Sequence, residues 1–116
     1  MNIRVATFNI LAPCWASVDF YPQNTAPFLD RLARRNAITK VLKRLANEND
    51  FIALQETQKG EIEYFEHVLE SVGFEGYNVT HEDTYWQSYV RPDVKFSPNG
   101  VALYWNVNSV SLGQNK

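Results

Sequence analysis

Two polar residues that close apolar runs are where this sequence could do chemistry. Asn9 follows a β-forming stretch, and Glu56 ends Asp50-Phe51-Ile52-Ala53-Leu54-Gln55-Glu56, an apolar core opened by a turn-forming Asp and closed by a carboxylate. In open α/β sheets, ligands gather just beyond the carboxyl ends of the strands. An acid and an amide meeting there would offer one hard anionic oxygen beside a neutral dipole. Mg²⁺, for which Mn²⁺ can stand in, suits such a place: it takes oxygen ligands, keeps several waters, and is held by one or two carboxylates plus a substrate phosphate. The competing reading of Glu56 is a strand-end carboxylate that is merely solvated. A soft-metal centre is not indicated, because Cys14, His67 and His81 show no ligand spacing.

The elements that must position this pair are legible in the pattern. Ile3 to Leu11 is rich in β-formers and reads as a strand ending near Phe8-Asn9. Phe28, Leu29, Leu32, Ile38, Val41, Leu42 and Leu45 recur at spacings of three and four. That is one buried helical stripe, with Asp30 as its cap and Arg31, Arg34, Arg35, Lys40 and Lys43 largely off it. Phe51 to Gln55 is then a buried strand. Strand, helix, strand is a βαβ unit, so the two strands should run parallel and their carboxyl ends should share an edge. Ile62, Phe65, Val68, Leu69 and Val72 give a second helix, with Glu61, Glu63, Glu66 and Glu70 on its wet face and Gly73 as its stop. Phe74 to Thr80 reads as a third strand and Val101 to Trp105 as a fourth. Asn99-Gly100 reads as a turn before that strand, and Asn106 to Asn108 as a turn into a short strand over Ser109 to Leu112.

Length and composition bound the function. At 116 residues the chain is a single domain at most, large enough to bury a core without staples. Hydrophobic residues at 45% and charged ones at 21% exclude disorder. A net charge of -2 supplies no global field for holding nucleic acid. The charge is unevenly placed: residues 1–59 carry eight Lys/Arg against five Asp/Glu, and residues 60–116 three against eight. Six of the basic residues lie between Arg31 and Arg44, which reads as the wet face of a helix or as a phosphate-facing patch. Cys14, between Pro13 and Trp15, has no partner for an internal disulfide and reads as apolar filler, so a reducing, cytoplasmic setting is expected. No membrane span or leader is visible.

Two long polar segments interrupt the pattern. Ala12 to Pro27 is long enough to suggest a role beyond connection. His81 to Pro98 holds Trp86, Tyr89 and Arg91, a charge beside aromatic faces that could hold a phosphate and stack a base of single-stranded RNA. The same aromatics could instead pin the loop to the core.

Taken in order, several short motifs resemble the start of the endonuclease/exonuclease/phosphatase superfamily. They are Phe8-Asn9-Ile10-Leu11-Ala12, the Arg35 to Ile38 helix, Leu54-Gln55-Glu56-Thr57, the Tyr64-Phe65 helix, Val72-Gly73-Phe74-Glu75-Gly76-Tyr77 and Asn99-Gly100-Val101-Ala102-Leu103-Tyr104. Their wording is similar to the branch containing the nocturnins, the Angel proteins and the carbon catabolite repressor-type deadenylases. Each is weak alone; in register over roughly residues 3–112 they are fairly specific. The resemblance implies the α/β (α+β) class and half of a four-layer α/β/β/α sandwich, with one mixed sheet carrying two helices on one face. It implies a Mg²⁺-dependent phosphodiesterase or phosphatase in which the position of Glu56 binds the metal and that of Asn9 lines the phosphate site.

The sequence departs from that pattern in one respect. The family's base and transition-state stabilisers lie in a Gly-Asp-x-Asn segment and a closing Asp-His pair, and these 116 residues hold neither. His81, followed by Glu82-Asp83, is a local mimic in a loop where the nocturnin-like branch carries a basic residue, which makes it a substrate contact at most. Residues 1–116 therefore read as the amino-terminal half of such a domain, inactive alone and needing a carboxy-terminal half in cis or in trans. The alternative is a non-catalytic binding module that keeps the fold. A half-sandwich should leave one sheet face apolar and open, with Ile3, Val5, Val101 and Leu103 the positions to inspect.

Overall fold

Among the described residues six elements follow one another: β1 (Val5–Asn9), α1 (Arg31–Glu48), β2 (Phe51–Gln58), α2 (Ile62–Glu70), β3 (Phe74–Thr80) and β4 (Asn99–Asn106). They belong to a computed structural model that describes residues 2–12, 30–80 and 99–110. The strands form one mixed sheet in the order β1-β2-β4-β3. β1 and β2 are parallel neighbours, with Val5 opposite Phe51 and Asn9 opposite Gln55. β4 runs antiparallel to both β2 and β3.

Strand alternation divides the sheet into two unlike faces. Ile52 and Leu54 of β2, Ala102 and Tyr104 of β4, Phe74 of β3, and Ile10 just past β1 point to one side. There they meet Leu42 and Ala46 of α1 and Ile62, Phe65 and Leu69 of α2, so both helices cover the same face. The other face carries Val5, Tyr77, Val79 and Val101, each with more than half its surface open to solvent, and the exposed Leu103. Ile3, just before β1, is equally open. The resulting α+β architecture is that of half a sandwich, with its second apolar face open.

Local chemistry explains the element ends. Asp30 caps α1, its carboxylate accepting the Ala33 N–H at 2.8 Å. Gly73, at φ +90°, ends the turn after α2 where a side chain would be strained. Asp50 ties together the edge of the sheet remote from Asn9. Its carboxylate accepts the Arg4 N–H and the Ser109 hydroxyl, each at 2.9 Å. Its carbonyl accepts the Asn106 N–H, also at 2.9 Å. Those bonds, the Arg4 one first, hold the Asp50 carboxyl below its ordinary range.

Several sequence expectations are corrected. β2 does not stop at Gln55 but continues through Glu56 to Gln58, across an irregularity. Asn99-Gly100 is not a turn; it opens β4, with Gly100 opposite Thr80. A Cβ at Gly100 would lie 1.7 Å from the Val79 carbonyl oxygen, so glycine here serves close strand approach. Ser109 belongs to the turn after β4. Leu32 and Val72, assigned to buried stripes, are exposed, while Ala46 is buried. Phe28 and Leu29 lie outside the described residues, as does Cys14. Among the described residues no helix is long and apolar enough to cross a membrane.

Candidate functional site

The site begins with the phase of β2. Residues 52 and 54 point toward the helices, so regular alternation would also drive residue 56 beneath them. The ladder to β4 prevents this: Gln55 pairs with Val101 and Thr57 with Gly100, leaving Glu56 as an extra residue. Glu56 sits at φ +56°, a left-handed conformation that disfavours side chains by about 1–2 kcal/mol. This bulge turns the carboxylate out of the core to the carboxyl-end rim of the parallel pair.

There it meets Asn9. Asn9 Nδ2 donates to Glu56 Oε2 at 2.5 Å, and Asn9 Oδ1 accepts the Leu11 N–H at 2.9 Å. The second bond fixes the orientation of the amide, because a backbone N–H can donate only to the oxygen end. Asn9 thus presents its NH₂ to the carboxylate and keeps its oxygen for its own chain. Leu11 is itself left-handed, at φ +52°, so unusual backbone flanks the pair on both strands.

A cluster of arginines on α1 lies directly behind. Glu61, in the turn after β2, is 3% exposed. It accepts from Arg31 Nε and Nη2 at 3.2 and 2.7 Å, and from Arg35 Nε and Nη2 at 2.9 and 2.8 Å. Burial pushes the Glu61 carboxyl up, but the two guanidinium groups outweigh it and bring it below its ordinary value. The same pairing raises Arg35, whose guanidinium also lies 4.6 Å from the centre of the Tyr64 ring. Arg34 Nη2 donates to the carbonyls of Ile10 and Leu11, both at 2.7 Å. Arg31, Arg34, Arg35 and Glu61 line one cleft together with Ile38 and Phe65.

The sequence placed Asn9 and Glu56 at one edge, and the structure brings them into contact. His81, Trp86 and Arg91 lie outside the described residues. Glu61 was expected on the wet face of α2 and is instead its most enclosed carboxylate. Glu66, expected beside it, accepts hydrogen bonds from Tyr104 Oη at 2.9 Å and Asn78 Nδ2 at 3.2 Å. Burial, then the bond to Glu66, pushes the Tyr104 hydroxyl well above its ordinary range. Sequence reasoning missed Arg34 and Glu61 as neighbours of the site. Their signal was the Arg31, Arg34, Arg35 spacing, which puts all three on one helical face.

The donor set fits a hard cation to a limited degree. Glu56 supplies a partly exposed carboxylate, and the Asn9 oxygen is committed to Leu11. No group of three or more His, Cys, Asp or Glu side chains that could hold a metal ion occurs among the described residues. Such a cation would hold one protein carboxylate here and complete its shell with water or substrate oxygen.

No protein-family model and no curated protein matches the chain. Solved structures do. The crystal structure of ANGEL2, a 2′,3′-cyclic phosphatase, superposes with a TM-score of 0.62 at 20% identity, over 91% of this chain and 27% of that one. Its complex with adenosine-2′,3′-vanadate gives a TM-score of 0.60 over 90% of this chain. The human nocturnin catalytic domain with bound sulfate gives 0.56 at 23% identity, over 91% of this chain and 33% of that one. The chain spans roughly a third or less of the chains it matches. It shares its fold with the matching parts of ANGEL2 and of the nocturnin catalytic domain.

Proposed function

We propose that these residues are the amino-terminal part of a Mg²⁺-dependent phosphodiesterase or phosphatase acting on phosphate esters, with RNA 3′ ends or nucleotides as the substrate class. The observation that carries this is the Asn9–Glu56 contact at the carboxyl rim of the parallel strands, in a fold shared with a 2′,3′-cyclic phosphatase. Glu56 would hold the metal, and Asn9 would orient the carboxylate and offer its NH₂ to a phosphate oxygen. When bound, the cation neutralises phosphate charge and stabilises the leaving oxygen. The residues of this chain bind and orient; a base that positions the attacking water must come from elsewhere. A carboxy-terminal half, in cis or in trans, would supply that base and cover the open face of the sheet. A reducing, cytoplasmic setting is part of this proposal.

Titration of the chain with Mg²⁺ or Mn²⁺ tests the metal assignment. Weak saturable binding is expected, with Glu56→Gln abolishing it; identical titrations of the two proteins would overturn the assignment. The chain alone should show no measurable turnover of an adenylate-tailed RNA or a 2′,3′-cyclic nucleotide, and robust turnover would refute the need for a second half. A second reading, a binding module without chemistry, draws support from there being no group of three or more His, Cys, Asp or Glu side chains that could hold a metal ion among the described residues. Retained RNA binding together with absent metal binding would favour it.

A further inference from the structure

We propose that Arg34 is a positioning residue for the Asn9–Glu56 pair, acting through the backbone of Leu11. The chain of contacts is short: Arg34 Nη2 holds the Leu11 carbonyl, the Leu11 N–H holds Asn9 Oδ1, and Asn9 Nδ2 holds Glu56. Each link fixes the next. With Oδ1 taken by Leu11, only the NH₂ end of Asn9 can face the carboxylate. The Leu11 N–H shares one planar peptide unit with the Ile10 carbonyl that Arg34 also holds, and Leu11 is itself left-handed, a conformation that a branched side chain keeps only where its surroundings over-determine it. Arg34 is what over-determines it. One guanidinium nitrogen reaches the two successive carbonyls of Ile10 and Leu11, while the Ile10 N–H is tied at 3.1 Å to the Gln55 carbonyl across the parallel ladder.

The neighbours of Arg34 complete the device. Arg31 and Arg35 flank it on the same helical face and both bind Glu61, five residues past Glu56. The exits of β1 and β2 therefore hang from one stretch of α1, and the separation of Asn9 from Glu56 follows that helix. This inference rests on the proposal that the pair forms the site, but its geometric content does not require a metal.

The experiment compares the 116-residue chain with Arg34→Lys, Glu61→Gln and the double variant Arg34→Lys with Leu11→Gly. Lysine keeps the charge but has no planar fork to span two carbonyls. Metal-free NMR reads the Asn9 side-chain amide resonances and the exchange of the residue 11 N–H; Mn²⁺ relaxation enhancement reads the site. In Arg34→Lys the Leu11 N–H should exchange about tenfold faster, the size expected for loss of one hydrogen bond. The Asn9 resonances should shift, and Mn²⁺ affinity should fall by a similar factor. Exchange at Ala102 and Tyr104 in β4 should stay unchanged. Glycine tolerates positive φ without a brace, so the double variant should restore the Asn9 resonances and most of the affinity.

Unchanged Asn9 resonances in Arg34→Lys would overturn the proposal. So would loss of protection that runs in parallel through β4, or failure of Leu11→Gly to rescue. If no Mn²⁺ binds the unaltered chain while the Asn9 and Leu11 signals respond as expected, the positioning role stands and the metal-dependent function does not. Glu61→Gln, which leaves Leu11 untouched, should perturb the Asn9 amide less than Arg34→Lys; the reverse order would assign the role to the ion pair instead.

Discussion

At the scale of single residues, the site depends on two backbones held in an uncommon conformation. Glu56 and Leu11 are the non-glycine residues with positive φ among those described, and they lie on either side of the Asn9 amide. Thr57 extends the pattern. It is fully buried, and its hydroxyl has no hydrogen-bond partner among the described residues. An enclosed hydroxyl left unsatisfied costs about 1–3 kcal/mol. Thr57→Val should consequently be neutral or stabilising by about 1 kcal/mol, as read from the midpoint of urea unfolding. A loss of 1 kcal/mol or more would mean that the hydroxyl is bonded in solution. The residue pair Asn9 and Glu56 was legible in the sequence because both close apolar runs. The bulge was not, since Leu-Gln-Glu-Thr contains no glycine to announce a left-handed position.

At the scale of elements, α1 links the two strand ends through buried charge. Removing one partner of an enclosed ion pair strands the other; Arg31 and Arg35 keep some solvent access, so Glu61→Ala should cost about 2–3 kcal/mol. The pH dependence has a definite sign. The folded-state value of Glu61 is depressed, so its stabilisation is present above the unfolded value of about 4.3 and fades as pH falls below it. The stability gap between the unaltered chain and Glu61→Gln should narrow below pH of about 4.3, as measured by chemical denaturation at successive pH values. A constant gap would show that the ion pair contributes nothing. Periodicity revealed both helices and the third strand with little error. It misassigned Glu61 and Glu66 because their partners, Arg31, Arg35 and Tyr104, lie 26 to 38 residues away. Helical spacing alone cannot report such partners. Asn99-Gly100 was misread for a related reason: glycine there answers to the neighbouring strand, not to a turn.

At the scale of the whole molecule, the two faces of the sheet make different demands. One is covered by both helices; the other presents Val5, Tyr77, Val79, Val101 and Leu103 across three strands. Exposed apolar patches beyond a few hundred Å² on soluble proteins mark contact surfaces. The isolated chain should sediment as dimers or larger species, and Val79→Lys combined with Val101→Lys should shift it to monomer without altering the helical circular dichroism signal. A monomeric unaltered chain would contradict this. The sequence exposed the open face in advance at Ile3, Val5, Val101 and Leu103, because apolar residues there alternate with those needed beneath the helices.

The strand order has a consequence for how this chain is made. Among the described residues β4 is the last strand in chain order, yet it lies between β2 and β3, and it is the partner through which β3 joins the sheet. During synthesis the first parallel pair and its crossover helix can settle early, while residues 74–80 wait as an unpaired strand until residue 106 has cleared the ribosome. A nascent chain that has exposed residues 74–80 but not β4 should therefore be protease-sensitive over residues 74–80, and protection there should arrive in one step when β4 emerges.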